Sequence, residues 1–263
     1  MPWLFLPGTW YNEGRSAQLS YQTDRGDPMN ITYIFHSGFL AETKTCYYLF
    51  DYYRGGLPEL DPDKPILVFA SHFHQDHYNK QVFELLRQQK MTCVYAVLSK
   101  DISRRNYPEE GVKVFCVTFD RQYELPCETE LQTFHSTDSG VAFLVTCPEG
   151  TLYHAGDLND WVWKEEPEQA NRQMTGSYRH EIQKLAGKSV DVAFLPLDPR
   201  QEEYYAEGMR YFLEKVKVKA VYPMHYWGEP EIIQKFLLEY PQYREIVKDT
   251  EQSHQKNRRK EEL

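Results

Sequence analysis

Cysteine is sparse in this chain, and its five cysteines (Cys46, Cys93, Cys116, Cys127, Cys147) are scattered, odd in number and never spaced as a CxxC pair. That pattern excludes a disulfide framework and a thiolate zinc site, and it fits a reducing cytoplasm. Long apolar runs are also missing. None approaches the roughly 20 residues of a membrane span, and "MPWLFLPGTW" has neither the basic start nor the apolar length of a signal peptide, so no membrane association is expected. Basic charge is in deficit, with 30 Lys and Arg against 39 Asp and Glu for a formal charge of −9. A nucleic-acid partner held mainly through phosphates is therefore disfavoured. No short-period repeat is present, which excludes solenoids and propellers.

What is there suffices for one large domain: 263 residues, of which 41% are hydrophobic. Residues 1–28 show no sustained period and read as an extension outside the core, with Met29 as an alternative start. Residues 29–247 read as the domain. They open with strand-like runs "ITYIFH", "GFLAET" and "CYYLFD" in an antiparallel meander, followed by "ILVFA". The segment "NKQVFELLRQQ" has the apolar spacing of a helix, after which "CVYAVL" and "VKVFCVTF" return to strand. The second half repeats the style. "LQTFHS", "VAFLVTC", "TLYHAGD" and "VDVAFLPL" read as strands, with a mostly helical segment over 164–186. A helix around "EYYAEGMRYFLEKV", the strand "KAVYPMH" and a helix in "EPEIIQKFLLEY" follow, and residues 248–263 form a charged tail expected to fray.

The densest chemistry lies in "SHFHQDHYN", Ser71 to Asn79, directly after "ILVFA". In extended chain His72 and His74 point to one side, and the turn that follows can bring Asp76 and His77 towards a second point nearby. Two adjacent metal ions are then geometrically natural. Imidazole and carboxylate suit zinc, and also manganese or iron. Four such ligands at this spacing favour metal binding over a set of unrelated surface histidines.

"HFHQDH" matches an HxHxDH signature, and the chain resembles the metallo-β-lactamase-fold hydrolase superfamily. "YHAGD" offers Asp157 and "YPMHYW" offers His225 where that family's later motifs belong, while "FHSTDSG" offers His135, with Asp138 as the alternative ligand. The resemblance covers most of residues 29–247 and implies an α/β (α+β) fold, an αββα sandwich of two sheets flanked by helices. Within the superfamily, "YIFHSGF" and "HAGDLNDWVW" look closest to a bacterial branch of metal-dependent hydrolases, more distantly similar to the ascorbate-phosphate lactonase type. By this resemblance His72, His74 and His135 hold one metal, Asp76, His77 and His225 the other, and Asp157 bridges them.

The implied cofactors are two divalent metal ions, zinc first. The implied activity is hydrolysis of a small-molecule ester, lactone, amide or phosphoester by a metal-bound hydroxide, with Asp76 orienting the water. Arg200 in "FLPLDPR" is a candidate clamp for a substrate carboxylate or phosphate, or else a salt-bridge partner of Asp198 or Glu203. Trp227, with Trp161, Trp163 and Tyr226, is a candidate pocket wall. His36 and His154 read as hydrogen-bonded histidines outside the metal set, and His180 and His254 as solvent-facing. Two other functions are weighed: a nuclease of the same fold, against which the acidic balance counts, and a non-catalytic binding module stabilised by metal.

Overall fold

A computed structural model describes residues 17–22 and 28–250. Two sheets form the frame. The first runs β1 (Ala17–Gln22), β2 (Pro28–Phe35), β3 (Gly38–Glu42), β4 (Tyr47–Phe50), β5 (Ile66–Ala70), β6 (Val94–Ser99) and β7 (Lys113–Val117) in chain order. Pairing is antiparallel through β4 and parallel from β4 onwards. In the second, β8 (Gln122–Leu125), β9 (Thr129–His135), β10 (Val141–Cys147) and β11 (Gly150–His154) pair antiparallel. There β12 (Ser189–Pro196) and β13 (Lys217–Met224) extend the sheet in parallel.

Strand alternation explains why the sheets face each other. Tyr48 and Phe50 of β4 and Leu67 and Phe69 of β5 enter the main core with Phe143, Phe194 and Tyr153 of the second sheet. The intervening Tyr47, Leu49, Ile66 and Val68 turn to the other side and pack on Val82 and Leu86 of helix α1 (Gln81–Gln88). Both faces of these strands are buried, which is why the runs read as continuously apolar. Each buried aromatic or aliphatic side chain contributes roughly 1.5–3 kcal/mol. Helices α2 (Glu168–Gln183), α3 (Glu207–Lys215) and α4 (Glu231–Glu239) add Tyr178, Ile182, Met209, Phe212, Ile233 and Phe236 to the main core. The result is the αββα sandwich that the resemblance implied.

Three boundaries differ from the sequence reading. The leader supplies an edge strand, since β1 pairs antiparallel with β2 in the register Ala17↔Tyr33 to Gln22↔Pro28. The helix expected over 164–186 is shorter, Glu168–Gln183, preceded by Pro167 in extended conformation. The segment before α3 is a 3₁₀ turn, Pro199–Tyr204, rather than α-helix: Asp198 caps it through the Arg200 N–H, and Glu202 breaks it with φ 51°. The expected fraying of the tail concerns residues of which 251–263, His254 among them, lie outside the described ones. Lys248 donates its backbone N–H to Val221, and Thr250 is buried. Among the described residues, no helix is long and apolar enough to cross a membrane.

One edge of the sandwich collects the chain's chemistry. β2, β4, β5, β9, β11, β12 and β13 run in the same sense within their sheets, and each is followed within three residues by a polar residue of interest: His36, Asp51, Ser71, Ser136, Asp157, Asp198 and His225. Strand ends suit this purpose because the ladder fixes the backbone up to the last residue and then releases it.

Candidate metal centre

Asp51 organises the histidine turn. It follows β4, sits beside the end of β5, and is fully buried. Its Oδ1 accepts the Ser71 N–H at 2.7 Å, and its Oδ2 accepts the Ser71 hydroxyl at 2.6 Å and His77 Nδ1–H at 2.7 Å. Because the Ser71 proton is given to Asp51, Ser71 Oγ is left to accept from His72 Nδ1, 2.9 Å away. Both histidines are thereby held with Nε2 unprotonated in their neutral forms and turned inward, the arrangement a metal-binding imidazole needs. The far end of the turn is tied by Asn79, whose backbone N–H and side-chain amide donate to the carbonyls of Tyr52 and Tyr53.

The second sheet closes over this turn at two glycines. Gly140 has φ +69°, and a Cβ there would lie 1.9 Å from the Ser71 carbonyl oxygen; Gly156 has φ +53°, and its Cβ would lie 2.7 Å from Ser71 Cβ. Only glycine permits both the left-handed backbone and the approach. Val141 N–H then donates to Ser71 O, and Thr137 Oγ1 donates to Asn159 O at 2.6 Å, linking the hairpin between β9 and β10 to the loop that carries Asp157.

Asp157 stands at the centre. Its Oδ1 lies 3.1 Å from His77 Nε2 and 3.4 Å from His225 Nε2, and its Oδ2 lies 3.3 Å from His72 Nε2. Candidate ligand atoms fall into two groups, His36, Asp76, His77 and His225 in one and His72, His74 and Asp157 in the other, each with its atoms within 4.8 Å of one another. His225 is oriented as His77 is: its Nδ1 donates to Asp198, 2.9 Å away and fully buried. Burial opposes ionisation of Asp157, but the flanking imidazoles of His77, His225 and His72 outweigh it and hold the carboxyl well below its usual range. His72 and His36 are pushed down to about 4 by burial, so both are neutral at pH 7. His77, although burial works the other way, is raised well above its ordinary value by the carboxylates of Asp157 and Asp51.

The donor set fits metal ions. Nε2 of His36, His72 and His77 and Oδ1 of Asp157 are buried with no hydrogen-bond partner among the described residues. Four such atoms, divided between the two adjacent groups, would be costly, at about 1–3 kcal/mol each, unless something positive lies between them.

His135, expected as a ligand of the first metal, is not brought to this cluster. Its pairing with Val141 carries the β9 ladder through to the end, so Phe134 turns into the core and His135 turns out, its ring edge-on to Phe119 at 4.3 Å. Its backbone N–H donates to Glu181. Asp138, the alternative, lies nearer, with Oδ2 3.9 Å from His74 Nδ1. His36 is brought in, although it was read as outside the set. His154 is a hydrogen-bonded core histidine, donating from Nε2 to Ser37 O and accepting the Gly156 N–H at Nδ1. Asp51 carried no mark in the HxHxDH spacing; its only signal is an aspartate directly after the apolar "YYLF".

Arg200 forms the Asp198 bridge. Its Nε and Nη2 donate to the two carboxylate oxygens at 2.9 and 2.5 Å, and its guanidinium lies over the Trp227 ring at 4.5 Å. Trp227 is 42% exposed and also reaches Asp198 with Nε1 at 3.3 Å. A cavity of about 250 Å³ opens beside the centre, lined by Asp138, Asp157, Trp161, Trp163, Arg200 and His225 among others. An adjoining one of about 470 Å³, sharing Thr137, runs along α2 past His135 and His180.

No family profile matches the chain. It is 26% identical over 227 residues to a UPF0173 metal-dependent hydrolase of Desulforamulus reducens, covering 78% of this chain and 88% of that protein. Among solved structures, a candidate metal-dependent hydrolase from Parabacteroides distasonis superposes with a TM-score of 0.58 at 17% identity, covering 89% of this chain and 98% of that one. The metallo-β-lactamase fold protein YhfI of Bacillus subtilis does so with 0.50 at 13%, covering 76% and 84%. The chain has the metallo-β-lactamase fold and is similar in sequence to metal-dependent hydrolases. Every candidate ligand of this metallo-β-lactamase-fold chain sits on that one strand-end edge, with the carboxylates of Asp51 and Asp198 behind the histidines.

Proposed function

We propose that the chain hydrolyses a small-molecule ester, lactone, amide or phosphoester at a pair of divalent cations, with zinc as the first candidate and manganese or iron as alternatives. The observation that carries this reading is the division of Asp157, one oxygen towards His77 and His225 and the other towards His72, at the junction of two ligand groups. Cations bound there lower the pKa of a nearby water towards neutrality and polarise the bond under attack.

The chain's own residues supply the rest. Asp51 and Asp198 hold His77 and His225 by Nδ1, and Ser71 holds His72, so three imidazoles keep their orientation without rearrangement when substrate arrives. Asp76 is the one carboxylate of its group, with a side chain 26% exposed. Against the effect of burial, His36 and His77 hold it below the usual carboxylate range, so it is an anion able to orient a water through its outer oxygen. Arg200 and the stacked pair Trp161 and Trp163, 6.0 Å apart, wall the smaller cavity. We assign substrate contact to Arg200 and, through its packing on the guanidinium, to Trp227. The two adjoining cavities have the size of a small-molecule site rather than a polymer groove. The acidic balance of −9 weighs in the same direction and against a nuclease. The five free cysteines suit a reducing compartment, and we place the protein in the cytoplasm.

Metal analysis of the purified protein, paired with a screen of phosphodiester, lactone, ester and amide substrates, tests the proposal. About two cations per chain and turnover that chelation abolishes are expected. Stoichiometric metal with no turnover on any class would favour the binding module, and absence of metal would refute both.

A further inference from the structure

We infer that His36 is a ligand of the cation held by Asp76, His77 and His225. The inference rests on the metal reading of the site and not on hydrolysis. His36 lies in the two-residue turn between β2 and β3, where Phe35 pairs with Gly38. Its φ is +57°. A left-handed turn of this kind is served by glycine or asparagine, and a histidine there costs roughly 1 kcal/mol of backbone strain that the turn itself does not require. Something other than the hairpin has to account for the imidazole.

Its surroundings hold the ring in one orientation. Tyr33 Oη accepts the His36 N–H at 2.9 Å, and His225 N–H points to the His36 carbonyl at 3.4 Å. The imidazole is packed between the rings of His225 at 4.3 Å and Trp227 at 4.5 Å. Its Nε2 is buried with no hydrogen-bond partner among the described residues and stands 3.4 Å from Asp76 Oδ2. That separation is long for a charge-assisted hydrogen bond, which runs at about 2.7–2.9 Å. It matches two ligands of one cation, which at about 2.0–2.1 Å from the metal stand about 3–3.5 Å apart. The spacings of His77 Nε2 and His225 Nε2 from Asp157 Oδ1, 3.1 and 3.4 Å, are of the same kind. With His36 included, this group has three imidazoles and Asp76 besides the Asp157 oxygen, whereas the other has His72, His74 and one Asp157 oxygen. The better-filled position is the tighter one, and the group of three leaves coordination free for water or substrate.

The test uses the full-length protein stripped by chelation and titrated with zinc and, separately, with cobalt. His36→Asn keeps a residue that tolerates the left-handed turn, and His36→Gln keeps an amide that can reach towards Asp76. In both, one of two cations is expected to bind on the order of tenfold or more weakly, with a changed cobalt absorption spectrum and an unchanged circular dichroism spectrum. If the wild type binds two cations and either variant matches it in affinity and spectrum, His36 is not a ligand, although the metal reading stands. If the wild type binds no cation, the metal reading falls and the inference with it.

Discussion

Asp51→Asn changes one atom among the hydrogen bonds that tie Ser71, His72 and His77 together, and the outcome follows from counting donors. In the native protein Asp51 accepts three hydrogen bonds, from Ser71 N–H, Ser71 Oγ–H and His77 Nδ1–H. An asparagine has one accepting oxygen and one donating nitrogen. With its oxygen at the Oδ2 position it keeps Ser71 Oγ and His77, but its NH₂ then faces the Ser71 N–H, leaving two buried donors opposed. With the amide reversed, the NH₂ faces His77 Nδ1 and Ser71 Oγ. His77 must then carry its proton on Nε2, towards Asp157, and Ser71 must donate to His72 Nδ1, which moves that proton to Nε2 as well. Either orientation forfeits about 1–3 kcal/mol for each unpaired buried group, or roughly 2–4 kcal/mol in all, out of the 5–15 kcal/mol typical of a domain. The second orientation also blocks a ligand nitrogen in each metal group. The expected result is a metal-free protein destabilised by about 2–4 kcal/mol in urea titration, with zinc affinity at both positions lowered about 10–100-fold in chelator competition. A variant whose affinity stays within twofold of the wild type at both positions would refute the claim that Asp51 sets the tautomers.

Other outcomes follow from the same geometry. Gly140→Ala places a Cβ 1.9 Å from Ser71 O and 2.6 Å from His72 Cβ at φ +69°, so it should cost about 2 kcal/mol or more and weaken metal binding, measured by thermal melting and zinc competition; equal melting temperatures would count against it. Arg200→Ala removes the guanidinium from buried Asp198, and because Arg200 is half exposed the loss should be only about 1–2 kcal/mol in urea titration, accompanied by faster zinc loss; an effect on KM alone would assign Arg200 to substrate and not to His225. His77, held above its usual value, is protonated at pH 7 without metal, whereas His36 and His72, at about 4, are neutral. Zinc binding should therefore release a proton from His77 and weaken as pH falls; calorimetry in buffers of different ionisation enthalpy checks this, and zero release at pH 7 would overturn the assignment. Cation present at about a hundred times its dissociation constant should stabilise the protein by about 2.7 kcal/mol over the chelated form, and coincident melts would argue against a site present in the native state.

Much of the sandwich was legible because its strands are buried on both sides and so read as unbroken apolar text: "ILVFA", "VAFLVTC" and "VDVAFLPL" each became a central strand. β1 was missed because "AQLSYQ" is short, half polar and at an edge. In the site, His72, His74, Asp76 and His77 lie within a few residues of one another, so proximity in sequence guaranteed proximity in space. His225 and Asp157 were found by resemblance. His36 was passed over because a single histidine at a strand end carries no local signal; only the folding of the β2–β3 turn against the end of β13 gives it partners. His135 failed for a related reason. Whether a residue at the last position of a strand faces the core or solvent depends on register, and His135, opposite Val141, falls on the outward side of β9 while Phe134 is buried.

The carboxylates tie these observations together. Asp51, Asp157 and Asp198 are each no more than 5% exposed, and Asp76 stands beside them, yet among the described residues the one permanent cation hydrogen-bonded to them is Arg200. A buried carboxylate survives as an anion only where hydrogen bonds or positive charge outweigh its lost hydration. Asp51 and Asp198 meet that condition through their donors. Asp157 meets it only through the imidazoles of His77, His225 and His72, since its Oδ1 has no hydrogen-bond partner among the described residues and His72 and His36 are neutral at pH 7. Protonating His77 compensates one negative charge and, in doing so, removes a ligand. Divalent cations compensate the charge and leave all the imidazoles in their ligating form. The same residues that make the metal-free site electrostatically poor thus make the loaded site stable, and the two outer carboxylates serve both states by fixing the histidines from behind.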